Sequence, residues 1–273
     1  MAINSVGEVL LVPLGQLVLG DPLPMKRFVA AVADHYTDRH RFHNGLHASA
    51  VLHRSKWLAE ATQIWNHLEK LEKLSLLIAA VGIDSGHFGR SSNFCKATQH
   101  PLSHIFVEGP DLLEHFHSVL VVGLLRECGV LSRMSASASK AVRSWVVSLI
   151  VDSTLRRMLD TIAAVQRRQD SGVDLDREDD RQLLARTLLQ AGDHGYLALP
   201  WSHGNCMANI EKNIVQWKLH GPKNFSRPRQ WVSRGESGEK VTPLTTEQAN
   251  TSRPMPSTTL IVGTKKTFQK RRF

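Results

Sequence analysis

An all-α fold is what this sequence predicts, and three observations predict it. Between residues 26 and 203 apolar side chains recur at three- and four-residue steps, the period of a helix with one buried face. No pair of alternating strands is legible, and no Asn-Gly turn stands between β-branched runs. The apolar fraction is 42% in a chain of 273 residues, long enough to bury a sizeable core.

The elements follow in order. The run VLLVPLGQLVLG, 9–20, is interrupted by Pro13, Gly15 and Gln16. It is too short to span a bilayer and lacks the basic residues that open a signal peptide, so no transmembrane segment is expected and the cytoplasm is the default location. Residues 1–25 are therefore taken as an N-terminal segment and 26–203 as a helical domain. Within that domain KRFVAAVADHY, 26–36, is helical, and so is the long stretch from Ser49 to Val81. DLLEHFHSVLVVGLLREC, 111–128, follows, and then the stretch from Ser139 to Gln169. The acidic segment DSGVDLDREDD, 170–180, reads as an exposed loop leading into RQLLARTLLQAG. Past about residue 203 the sequence turns rich in Pro, Gly, Ser and Thr. IEKNIVQWKL could form a short helix, but 204–273 as a whole reads as a largely disordered tail, with too little apolar surface to offset its ordering entropy.

Charge divides at the same place. Residues 1–203 hold 21 Lys+Arg and 21 Asp+Glu, whereas 204–273 hold 13 and 4, which accounts for the whole net charge of +9. A neutral domain with a basic tail, 6% aromatics and two tyrosines offers no stacking surface for bases, and no nucleic-acid partner is expected. Cys95, Cys128 and Cys206 stand far apart and form no C-x-x-C, which favours thiols in a reducing compartment.

Four places could carry chemistry. In FHNGLHA, 42–48, His43 and His47 are four apart, so on a helix both rings would share a face. With 14 histidines about one such pair is expected by chance, and the pair needs its context. In IDSGHFGRSSNF, 83–94, Asp84 closes an apolar run and His87 follows at three, again one helical face. A carboxylate there needs a cation or donors, and Asp84 reads either as a helix N-cap or as a metal ligand. Glu114 in DLLEHFH lies on an amphipathic helix, solvated or functional. Asp193 in AGDHG either ends a helix at a glycine-bearing turn or is a further ligand.

Together, in this order and spacing, these motifs resemble the catalytic domain of class I 3′,5′-cyclic nucleotide phosphodiesterases over roughly residues 35–203. That family reads Y-H-N-x-x-H-A, H-D-x-x-H-x-G-x-x-N-x-F, L-E-x-H-H, T-D-M and A-D-x-x-N-P. The resemblance implies a helical domain holding two divalent ions, zinc with magnesium or manganese, that hydrolyses cAMP or cGMP to the 5′-monophosphate. By position it makes His43 the general acid, His47, Asp84 and Asp193 metal ligands, and Asp84 the bridge between ions. His87, Glu114 and Asp152 would stand behind the ligands and hold water.

The chain also departs from the pattern. Ile83 replaces a ligand histidine and has no lone pair to donate. Val151 stands for the threonine of T-D-M, Arg156 for a later histidine, Phe116 for the first of paired histidines, and Ser92 for an asparagine. Beyond about His203 the family's glutamine and aromatic clamp for the purine find no match, as if the domain were cut short and given an unrelated ending. The alternative expectation is thus a catalytically inactive, phosphodiesterase-like regulatory or interaction protein that pairs with another phosphodiesterase chain.

Overall fold

The computed structural model describes residues 2–106 and 111–198, and every regular element among them is helical. The expected tail, 204–273, and Cys206 lie outside the described residues. Three helices open the chain: α1 (Ala2–Leu10), α2 (Val12–Leu19) and α3 (Leu23–Ala33). The stretch Ser49–Val81 belongs to three helices, α4 (Gly45–Ala61), α5 (Ile64–His67) and α6 (Lys70–Gly82). Two short helices follow, α7 (Ser92–Ala97) and α8 (Pro101–Ile105), and then four long ones. These are α9 (Leu112–Glu127), α10 (Ala136–Val151), α11 (Leu155–Ser171) and α12 (Glu178–Asp193).

The core is organised by α6. From Leu74 to Gly82 every residue is buried, so the helix is apolar or small on all sides and must be surrounded. It packs against α4, α9, α10 and α12, and α12 lies along α4. A capping box starts it: Glu69 caps the helix, and the Glu72 carboxylate accepts the Glu69 N–H at 2.8 Å. Glu72 is also gripped by Arg181 of α12, whose Nε reaches its two oxygens at 3.1 and 2.9 Å and whose Nη2 adds a bond at 2.9 Å. That buried fork ties the start of α6 to the start of α12.

Two expectations change. The first helices share this core: Ile3, Leu11 and Val12 are buried in the same cluster as Phe28, Leu77 and Leu149. The acidic loop is shorter than its composition suggests, because α11 runs to Ser171 and α12 starts at Glu178. Asp180, expected in the exposed loop, is buried. Its carboxylate accepts from Arg168 Nε at 2.6 Å and from the Asp174 N–H at 2.9 Å. Among the described residues no single helix is long and apolar enough to cross a membrane.

Candidate active site

Asn44 decides how the two histidines of FHNGLHA meet. Its Oδ1 accepts the N–H groups of Leu46 and His47 at 3.0 and 3.1 Å, which caps α4, while its Nδ2 donates to the His40 carbonyl at 2.8 Å. The helix therefore begins at Gly45, and His43 stands before it. The shared helix face expected from the four-residue spacing does not exist. Instead the turn brings the rings to 6.1 Å at 89°, with Phe42 packed on both.

A second turn carries Asp84. It follows the C-terminal end of α6, so Asp84 is neither a helix N-cap nor on a helix face with His87. The backbone closes with His87 N–H donating to the Asp84 carbonyl at 3.0 Å. Gly86 sits at φ +75, and a Cβ there would lie 2.7 Å from Leu120 Cδ2, so only glycine turns the chain at this point. Tyr36 fixes the entry: its hydroxyl donates to the Val81 carbonyl at 3.0 Å and accepts the Asp84 N–H at 3.2 Å. His87 Nδ1 accepts the Gly89 N–H at 2.9 Å, and its ring stacks on His43 at 4.1 Å between centroids. Behind it His117 of α9 donates from Nδ1 to the Ser85 carbonyl at 2.7 Å.

Asp193 is the last residue of α12. The helix end is pressed onto α4: a Cβ on Gly192 would lie 2.2 Å from Ser55 Oγ. Arg54 Nε donates to the Gly192 carbonyl at 2.6 Å, a cation placed at the negative end of the helix.

These three pieces converge. His43 Nδ1 donates to Asp84 Oδ2 at 3.0 Å, and His47 Nε2 lies 3.4 Å from Asp84 Oδ2 and 2.9 Å from Asp193 Oδ1. His47 is 4% exposed, and its Nε2 makes no aligned hydrogen bond although two carboxylates face it. His43, His47 and Asp84 each bring one ligand atom within 4.8 Å of the other two, a group that could hold a divalent ion. Burial works to raise the pKa of Asp84, yet His43, His47 and His87 hold it well below the usual carboxylate range. For His47 burial works downward, but the close approach and charge of Asp193 and the charge of Asp84 leave the pKa raised. Burial, and then the Asp84 charge, push the Tyr36 phenol well above its ordinary 10.0, so it stays a neutral hydrogen-bonding post.

A cavity of about 130 Å³ opens on this cluster, lined among others by His43, Ile83, Asp84, Glu114, Asp193 and Tyr196. It has room for an ion and a few waters, less than the roughly 300–1,000 Å³ that encloses a drug-sized ligand. Ile83, 3% exposed, is part of its wall. Asp152 is not with the donors. Its carboxylate is held by Arg157 Nη1 at 2.9 Å and Arg186 Nη2 at 2.7 Å, and with Val151 it lines a separate groove between α9 and α10. Arg156 is likewise turned to Asp111, at 2.6 Å, while Ser92 Oγ accepts the Leu113 N–H at 3.3 Å. Sequence reading missed Tyr36, Arg54 and Tyr196. Their only signal is tertiary, since each acts on a residue from another helix or turn.

With this geometry in view, residues 42–213 match the family model of the 3′5′-cyclic nucleotide phosphodiesterases. The match covers well over half of the sequence, and the chain belongs to that family. It is 27% identical over 169 residues to the dual 3′,5′-cyclic-AMP and -GMP phosphodiesterase beta of Plasmodium falciparum (isolate 3D7), covering 60% of this chain and 15% of that protein. It is 27% identical over 180 residues to the 3′,5′-cyclic-nucleotide phosphodiesterase regA of Dictyostelium discoideum, covering 65% of this chain and 23% of that one. The chain thus spans under a quarter of the length of these relatives. In fold it matches the phosphodiesterase domain of the RhoPDE fusion protein from the choanoflagellate Salpingoeca rosetta, with a TM-score of 0.72 at 20% identity over 80% of this chain and 70% of that one. LmjPDEB1 in complex with IBMX gives 0.70 at 19% identity over 80% of this chain and 66% of that one.

Proposed function

We propose that the chain holds divalent metal at His47, Asp84 and Asp193 and hydrolyses a 3′,5′-cyclic nucleotide, cAMP or cGMP, to its 5′-monophosphate in the cytoplasm. The observation that carries this reading is His47 Nε2, buried and set between the oxygens of Asp84 and Asp193. Ions bound there, zinc with magnesium or manganese, would supply Lewis acidity and charge for phosphoryl transfer. The chain's own part is placement. Asp84 stays ionised in a buried turn because three histidines surround it. His47 is available as a neutral ligand once its proton is displaced. His43 lines the cavity with Nδ1 turned to Asp84, and as the general acid it would hand a proton to the departing O3′. Glu114 and His87 would hold water next to the reacting phosphorus.

One observation favours a second reading. Ile83 is buried in the cavity wall where the family carries a histidine, and this supports a non-catalytic relative that acts by association with another phosphodiesterase chain. Hydrolysis of cAMP and cGMP with added Mn²⁺, Mg²⁺ or Zn²⁺ tests the first reading. Turnover that disappears in Asp84→Ala upholds it, and no turnover from folded protein with any of the three ions overturns it.

A further inference from the structure

We propose that in this chain His43 is itself a metal ligand, taking the donor role that Ile83 cannot fill, so that the centre is built on His43, His47 and Asp84. The inference rests on the metal-centre reading above and assigns His43 a role that the family resemblance does not.

The donors decide it. One ligand atom each from His43, His47 and Asp84 lies within 4.8 Å of the other two. Bonds of about 2.0–2.2 Å at tetrahedral angles put neighbouring donors roughly 3.3–3.5 Å apart. Here His43 Nδ1 is 3.0 Å and His47 Nε2 is 3.4 Å from Asp84 Oδ2, so both imidazoles already stand close to that spacing from the carboxylate they would share an ion with. Two imidazoles and a carboxylate are a donor set suited to zinc, with water or Asp193 completing it.

The local structure supports the same role. His43 belongs to the turn held by Asn44 rather than to α4, so its ring is free of the helix direction that aims His47. The ring lies against His87, 24° from parallel, and that fixes its plane while Nδ1 points at Asp84. Ile83 shares the cavity wall and offers no competing lone pair. A consequence follows for turnover. An imidazole holding an ion through one nitrogen is a poor source of the proton that the leaving oxygen needs, so the ligand role competes with the general-acid role proposed above and the natural chain would be a slow enzyme.

Zinc titration by calorimetry and the visible absorption of Co²⁺ bound to the full chain test this without any activity measurement. His43→Ala should lower zinc affinity by more than the roughly 10–100-fold typical of losing an outer hydrogen-bond partner, and should alter the Co²⁺ spectrum. His43→Gln, which keeps the bulk of the side chain and an N–H donor in the turn, should do the same while still melting cooperatively in chelator. In an Ile83→His background the loss caused by His43→Ala should largely vanish, because the restored histidine takes over the ligand role. Zinc affinity and a Co²⁺ spectrum that are indifferent to both His43 substitutions would overturn the inference while leaving the metal centre standing. A natural chain that binds neither Zn²⁺ nor Co²⁺ would overturn the metal-centre reading, and this inference with it.

Discussion

The Tyr36 hydroxyl joins the end of α6 to Asp84, donating to the Val81 carbonyl at 3.0 Å and accepting the Asp84 N–H at 3.2 Å. One buried oxygen thus satisfies both backbone groups at the turn that delivers the central carboxylate. Tyr36→Phe keeps the ring and removes the link. The expected cost is about 1–3 kcal/mol, since a buried donor and acceptor each lose a partner. Zinc affinity should fall as well, because Asp84 loses its anchor. Chemical denaturation and metal titration of the same variant check the two effects, and unchanged values in both would remove Tyr36 from the site.

Arg54 plays the matching part for Asp193. Its guanidinium meets the carbonyl of Gly192 at 2.6 Å and lies 3.5 Å from that of Asp193, at the negative end of α12. Arg54→Met should cost about 1–2 kcal/mol of stability from the charged hydrogen bond and the helix-end interaction. Metal affinity should drop as Asp193 loosens. Arg54→Lys restores charge without the fork and should recover only part of it. Equal affinity in Arg54→Met and the natural chain would show that Asp193 needs no such support.

Gly192 is fixed by space. Alanine there would place Cβ 2.2 Å from Ser55 Oγ and 3.1 Å from the Ser55 backbone N. Overpacking of this kind costs about 1–3 kcal/mol. Ser55→Ala in the same chain should recover part of the loss, since it removes the nearest atom but leaves the backbone approach. Thermal melts of the single and double variants measure it, and no loss in Gly192→Ala would mean that α4 and α12 part easily.

How much of this the sequence discloses depends on range. The helices of 26–193 are legible because their apolar period is local, and the family resemblance rests on motifs that are contiguous in the chain. Asn44 as the cap of α4 has a local signal, since Asn before Gly-Leu-His marks a helix start, but the four-residue spacing of His43 and His47 points to one shared helix face instead. The pairing of His43 with Asp84, 41 residues apart, and of Arg54 with Gly192, 138 apart, has no local trace. The same holds for Asp180. Its neighbours are all acidic or polar, and only Arg168 and the Asp174 N–H explain why it is buried.

The charges at the site make metal binding and pH work against each other. The pKa of Asp84 is depressed, so its contribution to stability is present above the ordinary 3.8 and is lost as pH falls through its lower folded value. That of His47 is raised, so its contribution is full below 6.5 and is lost as pH rises through its higher folded value. In chelator the site therefore stabilises the fold most between those two ordinary values. Zinc needs His47 without its proton, so the gain in melting temperature on adding zinc should increase from about pH 6 to about pH 8. A gain that is flat over that range, or that shrinks, would mean that His47 is not a ligand.

Arg181 and Glu72 set the far end of the same two helices. Both are buried, and the carboxylate serves the fork from α12 as well as the N–H of Glu69. Removing the arginine alone leaves a buried charge whose main partner is gone, and Arg181→Met should cost about 3–5 kcal/mol. Taking away both charges is a different case. Arg181→Met with Glu72→Gln leaves a neutral side chain that still accepts the Glu69 N–H, and most of the stability should return. The fork lies at the helix starts, while Asp84 and Asp193 lie at or just past their ends, so the double variant should bind zinc as the natural chain does. Urea denaturation with and without zinc reads both. A double variant no more stable than Arg181→Met would show that the ion pair itself, rather than relief of a stranded charge, holds α6 to α12.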